Sequence, residues 1–241
     1  MWNKDTTRTV INYLIELANV DITVVNLAPD HSQVVNIAGY MELGEFASQN
    51  NISIYRPKRY DLDSVDDFRY ISSLNADIGL VMGWQRLIPD GILACISHGV
   101  FGMHGSSEGL PRGRGRSPLN WSILEGRSHF VTSLFKYKPG VDDGDIVASQ
   151  IFEITPEDDC ETLHLKNTLS MKFLLKENLQ LIYQNKITFQ PQNPNIEPTY
   201  YQKRTPDSGR IDWSNITSEH FVKMVRAQTM PFPGAYALQR S

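Results

Sequence analysis

Cysteine is scarce. Cys95 and Cys160 are the only two, far apart and without C-x-x-C spacing. They give neither a disulfide framework nor a metal-ligand set, and they fit a reducing, cytoplasmic compartment. Long apolar runs are missing as well. No segment approaches the roughly 20 residues that a membrane-spanning helix needs. The N-terminal MWNKDTTRTV carries no apolar signal region, so no membrane partner is expected. A basic surplus is also absent: 23 Lys and Arg stand against 27 Asp and Glu, for a net charge of −4. A chain whose main partner is a polyanion has the opposite balance, so nucleic acid is not expected as a partner, although a local basic patch is compatible with the count. There is no internal repeat and no low-complexity tract, which sets aside solenoids, collagens and disordered chains.

What remains is ordinary globular composition, 41% hydrophobic and 21% charged over 241 residues. At roughly 150 residues per domain this is one large domain, or one domain plus a piece of another, long enough to bury a core without staples. Val10, Ile11, Leu14, Ile15 and Ala18 recur at helical spacing and predict a helix over 6–18. DITVVNL (21–27) is a β-branched run of buried-strand type. A helix over 40–50, a strand over 52–55, a helix over 64–74 and a buried strand over 78–82 follow. Next come a short helix over 89–97 and a strand over 100–104. Alternating strands and helices predict an α/β fold, a Rossmann-like, mostly parallel twisted sheet with helices on both faces. Ligand sites in such sheets lie at the C-terminal ends of strands.

After residue 128 the pattern changes. Strands over 129–137 and 146–154 flank the turn-rich KPGVDDGD, a hairpin pattern. Thr155-Pro156-Glu157 predicts an N-cap and a long helix to about Asn185. The stretch 190–198 is rich in Pro, Gln and Asn and predicts an extended linker. A helix over 218–228 and a turn, MPFPGAY, close the chain. The expected division is a catalytic domain over 1–189 and a linker with a small C-terminal module over 190–241.

Three loops are candidates for chemistry. GMHGSSEGLPRGRGRSP (102–118) sets His104 at a strand end and Arg112, Arg114 and Arg116 at alternate positions between glycines. Glycine lets backbone approach a ligand closely, and guanidinium forks suit phosphate or carboxylate. In VDDGD (141–145) three carboxylates crowd into one turn, which suits either a cation or the capping of local backbone N–H groups. VMGWQRLI (81–88) places Trp84 and Arg86 after a buried strand, where a flat ring can slot in or Trp84 can simply pack the loop.

These residues carry a family pattern. The run 99–126 resembles the folate-dependent formyltransferases through Gly99, His104, Pro111, Arg114, Gly115, Pro118, Trp121, Ile123 and Gly126. GVDDGDI (140–146) is similar to that family's G-L-D-T-G-D-I loop. GRIDWS and PFPGAY (209–236) are similar to its linker and C-terminal entry. The resemblance implies formyl transfer from 10-formyltetrahydrofolate to an amine, with His104 and Asp142 as catalytic residues and no metal. It further implies folate held by Met82, Gly83, Trp84, Arg86, Leu87, Gly140 and Val141. The second substrate would meet Arg112, Arg114, Arg116 and Asn120. The family's third catalytic residue, an Asn two positions before the His, is Gly102 here. A backbone N–H, a water or Ser106 in the slightly longer loop is the expected substitute, the alternative being a catalytically weakened folate or nucleotide-sugar binding protein. The family's first strand with its glycine turn is not evident.

Within the family, GRGRSPLNW resembles the branch that acts on UDP- or dTDP-linked amino sugars, and the acidic balance argues against the tRNA branch. The expected substrate is therefore a nucleotide-linked aminosugar for a surface glycan, an O-antigen or pseudaminic-type precursor of lipopolysaccharide biosynthesis. Transfer to methionyl-tRNA or another amino acid, and formyl-folate hydrolysis, are the alternatives. A homodimer is an expectation of the resemblance alone.

Overall fold

The structure, a computed structural model, describes residues 5–17, 19–34, 37 and 40–238. One compact unit is built on Lys4–Phe101 and the other on Gly102–Ser241, so the division between them falls inside a strand.

The N-terminal unit runs α1 (Asp5–Ile15), β1 (Thr23–Val25), α2 (Gly44–Gln49), β2 (Ser53–Tyr55), α3 (Val65–Ser73), β3 (Ile78–Val81), α4 (Asp90–Cys95) and the start of β4 (Gly99–Ser106). Each expected element is present, with shorter bounds except for β4, which extends past the expected 100–104 at both ends. Ala18, expected at the end of the first helix, lies outside the described residues. β1 and β2 pair in parallel, Val24 opposite Ile54, as a two-stranded sheet of their own. That narrows the expectation of one continuous parallel sheet. The helix expected from Tyr40 begins only at Gly44, because Asn26 holds the preceding residues: its amide donates to the Met41 carbonyl at 3.1 Å and accepts from the Leu43 N–H at 3.3 Å. Val24, Ile11 and Leu43 close a small core.

α3 starts where expected, with the Ser64 hydroxyl accepting from the Asp67 N–H. Asp67 is fully buried. Burial alone would raise its pKa. Hydrogen bonds outweigh that and hold the carboxyl below its usual value: from the Ser64 hydroxyl at 2.6 Å, the Lys58 N–H at 2.7 Å, the Tyr55 hydroxyl at 2.8 Å and the Arg59 N–H at 3.1 Å.

The C-terminal unit holds the rest of β4, then β5 (Arg114–Gly115), α5 (Pro118–Leu124), β6 (His129–Lys136), β7 (Ile146–Glu153), α6 (Cys160–Tyr183), β8 (Tyr200–Tyr201) and α7 (Ser218–Ala227). β4, β6 and β7 are successive neighbours, and β6 and β7 form the expected antiparallel hairpin. Helices α5, α6 and α7 meet over a core of Leu119, Ile123, Phe130, Ile154, Cys160, Leu163 and Ala227. The Cys160 thiol is wholly buried, and burial pushes its pKa up to about 12, which makes it an inert core group.

Two expectations change here. The long helix begins at Cys160 rather than after Thr155. Asp159 and Thr162 form a reciprocal capping box, while Asp158 turns back to accept from the Thr155 N–H at 2.8 Å. The stretch after 190 is extended but not a free linker. Gln190 exchanges backbone hydrogen bonds with Ile146 at 2.8 and 2.9 Å, and β8 pairs in parallel with β5. α5 escaped the sequence pattern, although Pro118 at its first turn is a start signal.

Candidate active site

β4 carries His104, two residues inside the strand rather than at its end. The strand is buried on both faces because it is central in its sheet. The His104 ring is almost enclosed, its side chain 11% exposed. Its Nε2 donates to the Gly113 carbonyl at 2.8 Å, which fixes the tautomer and leaves Nδ1 as the proton-accepting atom. Nδ1 faces Asp142 Oδ2 at 3.6 Å. That is ion-pair range but beyond a hydrogen bond, so Asp142 acts on the ring through its charge.

The Asp142 loop is held by residues distant in sequence. Asp142 has φ +48°, a left-handed conformation uncommon outside glycine. Its Oδ2 accepts from the Gly115 N–H at 3.0 Å, and its carbonyl accepts from Gln192 Nε2 at 2.7 Å. The same Gln192 amide donates to the Gly144 carbonyl at 2.9 Å, while Gln192 Oε1 accepts from Arg114 at 2.6 Å. Gln192 thus bridges the arginine loop to the aspartate turn. Asp145 pairs with Lys138 at 2.8 Å, and Asp143 lies against Gly140 with its Oδ1 buried and without a hydrogen-bond partner among the described residues. Val141 is exposed at the tip.

The three arginines differ in setting. Arg112 is exposed and pairs with Glu108 at 3.3 Å. Arg114, expected to meet substrate, is 8% exposed; its guanidinium donates to Gln192 and, at 3.3 Å, to the Tyr200 hydroxyl. It braces the loop from within, because β8 lies directly against it. Arg116 is half-buried, and its N–H donates to the Tyr201 carbonyl at 3.0 Å. Asn120, also expected at the substrate, is 2% exposed, and its amide donates to the Ala227 carbonyl at 2.6 Å. It ties α5 to α7 and offers no side-chain contact to a ligand. Ser106 is no free donor on the surface either: it is 1% exposed and accepts from the Glu108 N–H at 3.1 Å.

α5 follows the arginine loop directly. Its Trp121, Leu124 and Glu125 line a cavity of about 530 Å³ with Arg204, Arg210 and His220. Trp121 stacks on Tyr201 at 5.8 Å and lies under the Arg204 guanidinium at 5.3 Å.

In the N-terminal unit the loop after β3 carries Met82 and Gly83, the latter at φ +71°. Trp84 meets the Tyr60 ring edge-on at 4.9 Å, and Arg86 lies over the same ring at 4.8 Å. The Trp84 Nε1 is buried and has no acceptor among the described residues, while Leu87 is 53% exposed.

Sequence reasoning missed Gln192 and Thr199, whose hydroxyl accepts from the Gly113 N–H at 2.8 Å. Both sit in a stretch without periodicity, so only the pairing of β8 with β5 reveals them. It also missed Tyr137, one residue past β6.

Residues 17–173 match the formyl transferase family, which covers more than half of the chain. The chain belongs to that family. It is 27% identical over 227 residues to the bifunctional polymyxin resistance protein ArnA of Wigglesworthia glossinidia brevipalpis, covering 94% of this chain and 34% of that protein. The chain thus spans about a third of the length of that relative. Among solved structures it resembles a 4-N formyltransferase from Francisella tularensis, with TM-score 0.75, 17% identity, and coverage of 99% of this chain and 90% of that one. It also resembles an N-formyltransferase from Helicobacter canadensis, solved with folinic acid and dTDP-3-aminofucose, with TM-score 0.64, 18% identity, and coverage of 93% and 76%.

Proposed function

We propose that this protein transfers a formyl group from 10-formyltetrahydrofolate to the amine of a nucleotide-linked aminodeoxysugar. The observation that carries the proposal is the pairing of His104, on a central strand of a formyl transferase fold, with Asp142 on the turn between β6 and β7. Two features support a folate on the loop after β3: the buried Trp84 N–H without an acceptor and the exposed apolar Leu87 beside it. Met82, Gly83, Trp84, Arg86 and Leu87 are the residues of that loop proposed to hold it. Bound formyl-folate supplies an activated formyl carbon: the amine nitrogen bonds to that carbon, the bond to the folate nitrogen breaks, and one proton passes from the amine to that nitrogen.

The residues have matching capacities. His104 accepts a proton at Nδ1 and releases it again, its orientation fixed by the Gly113 carbonyl. Asp142 stabilises the ring while it carries the extra proton. The Gly115 N–H and Gln192 keep Asp142 in place, so little reorganisation accompanies the transfer.

For the acceptor, the 530 Å³ cavity is the right size for a nucleotide-linked sugar and combines an aromatic ring with two arginines. The named ligands of the Helicobacter canadensis protein, folinic acid and dTDP-3-aminofucose, support the same substrate pair.

The test is incubation with 10-formyltetrahydrofolate and a panel of UDP- and dTDP-aminosugars, with products read by mass. A formylated sugar is expected from the wild type, and none from His104→Ala. Transfer to methionyl-tRNA alone, or formate release independent of any amine, would overturn the sugar assignment. A wild-type rate in His104→Ala would overturn the site.

A further inference from the structure

Gly102 lies two residues before His104 on β4, so both positions face the same side of the strand. The space a side chain at 102 would occupy is already filled. A Cβ built there would meet Tyr137 Cε2 at 2.2 Å and the Tyr137 hydroxyl at 2.9 Å. Gly102 is what lets that ring in. The ring is fixed by stacking on Phe135, with centroids 5.2 Å apart and planes 14° apart. Its hydroxyl is therefore presented on the His104 face of the strand, about where a short polar side chain rooted at 102 would end. Burial and the nearby charge of Asp142 raise the phenol's pKa, so it stays protonated and able to donate.

We propose that Tyr137 is a catalytic hydrogen-bond donor in this site, its hydroxyl serving the formyl oxygen as negative charge develops there. This rests on the formyl-transfer proposal above. The donor expected from position 102 is thus supplied from the end of β6, across the sheet. A preorganised donor of this kind acts without paying reorganisation at the moment of reaction.

The decisive variant is Tyr137→Phe, which keeps the ring, its stack on Phe135 and the filled space at Gly102. Removing one such donor elsewhere lowers kcat by about 100-fold to 1,000-fold, and that fall is expected here with KM held. A second readout uses a non-transferring 10-formylfolate analogue with an isotope-labelled carbonyl, followed by infrared difference spectroscopy. The carbonyl stretch is expected at lower frequency in the wild type and to rise in Tyr137→Phe. The double variant Gly102→Asn with Tyr137→Ala is expected to recover rate over Tyr137→Ala alone, since an amide would then stand on the same strand face. An unchanged kcat in Tyr137→Phe, or a loss confined to KM, overturns the inference and leaves the His104 assignment standing. Wild-type turnover in His104→Ala overturns the formyl-transfer site and Tyr137's role with it.

Discussion

Gln192 shows how a site residue can be invisible to sequence reasoning. It sits among prolines and asparagines that read as a linker, yet its amide joins Arg114, Asp142 and Gly144. His104 and Asp142 were legible because each lies in a motif with fixed neighbours. Gln192 has no such neighbours, and only the return of the chain past β5 gives it a partner. Arg114 and Asn120 were legible as special positions but not as buried ones: their side chains face inward because β8 and α7 cover them. Gln192→Ala takes from the buried Arg114 guanidinium its shorter hydrogen bond, leaving it the Tyr200 hydroxyl, and removes the amide donor from the Asp142 and Gly144 carbonyls. It is expected to lower stability by about 1–3 kcal/mol and to reduce kcat, since Asp142 loses the contact that holds its left-handed backbone. Denaturant titration and steady-state rates on the same samples check this. A variant with normal stability and normal kcat would remove Gln192 from the site.

Whole elements teach the same lesson. The alternating Gly-Arg pattern reads as backbone cleared for a ligand, but at Gly115 the close neighbour is the protein itself. A Cβ there would stand 2.6 Å from the Tyr201 carbonyl oxygen, with φ +98°. β5 is thus a two-residue strand that exists because β8 lies against it, too short to announce itself by alternation. Gly115→Ala is expected to cost about 1–3 kcal/mol through backbone strain and loss of pairing, and to lower activity because the Gly115 N–H anchors Asp142. The urea midpoint and kcat should fall together; an unchanged midpoint would refute the pairing argument. The start of α6 was displaced for a different reason. Thr155-Pro156 is a sound start signal, but Asp159 and Thr162 make two reciprocal bonds where Thr155 offers one cap.

For the molecule as a whole, pH sensitivity follows from one buried ring. His164, on α6 beside Phe232, has an Nε2 with no partner among the described residues, and burial lowers its pKa to about 4. An unfolded histidine takes up its proton near pH 6.5, so between 6.5 and 4 the unfolded chain holds more protons. Stability therefore falls as pH drops through that window, by about 3 kcal/mol in total, and the loss levels off below it. Urea midpoints measured across this range are expected to decline in the wild type and to flatten in His164→Leu; a decline of equal size in the variant would assign it to other groups. The sequence by itself determined the α/β class, the hairpin, the His104 and Asp142 positions and the family, because periodicity and local motifs are written in neighbouring residues. Only the tertiary structure decided which arginine is buried, what steadies Asp142 and which hydroxyl fills the space beside Gly102. Those contacts join residues far apart in the chain, where burial and chain crossing set the chemistry and no local pattern records it.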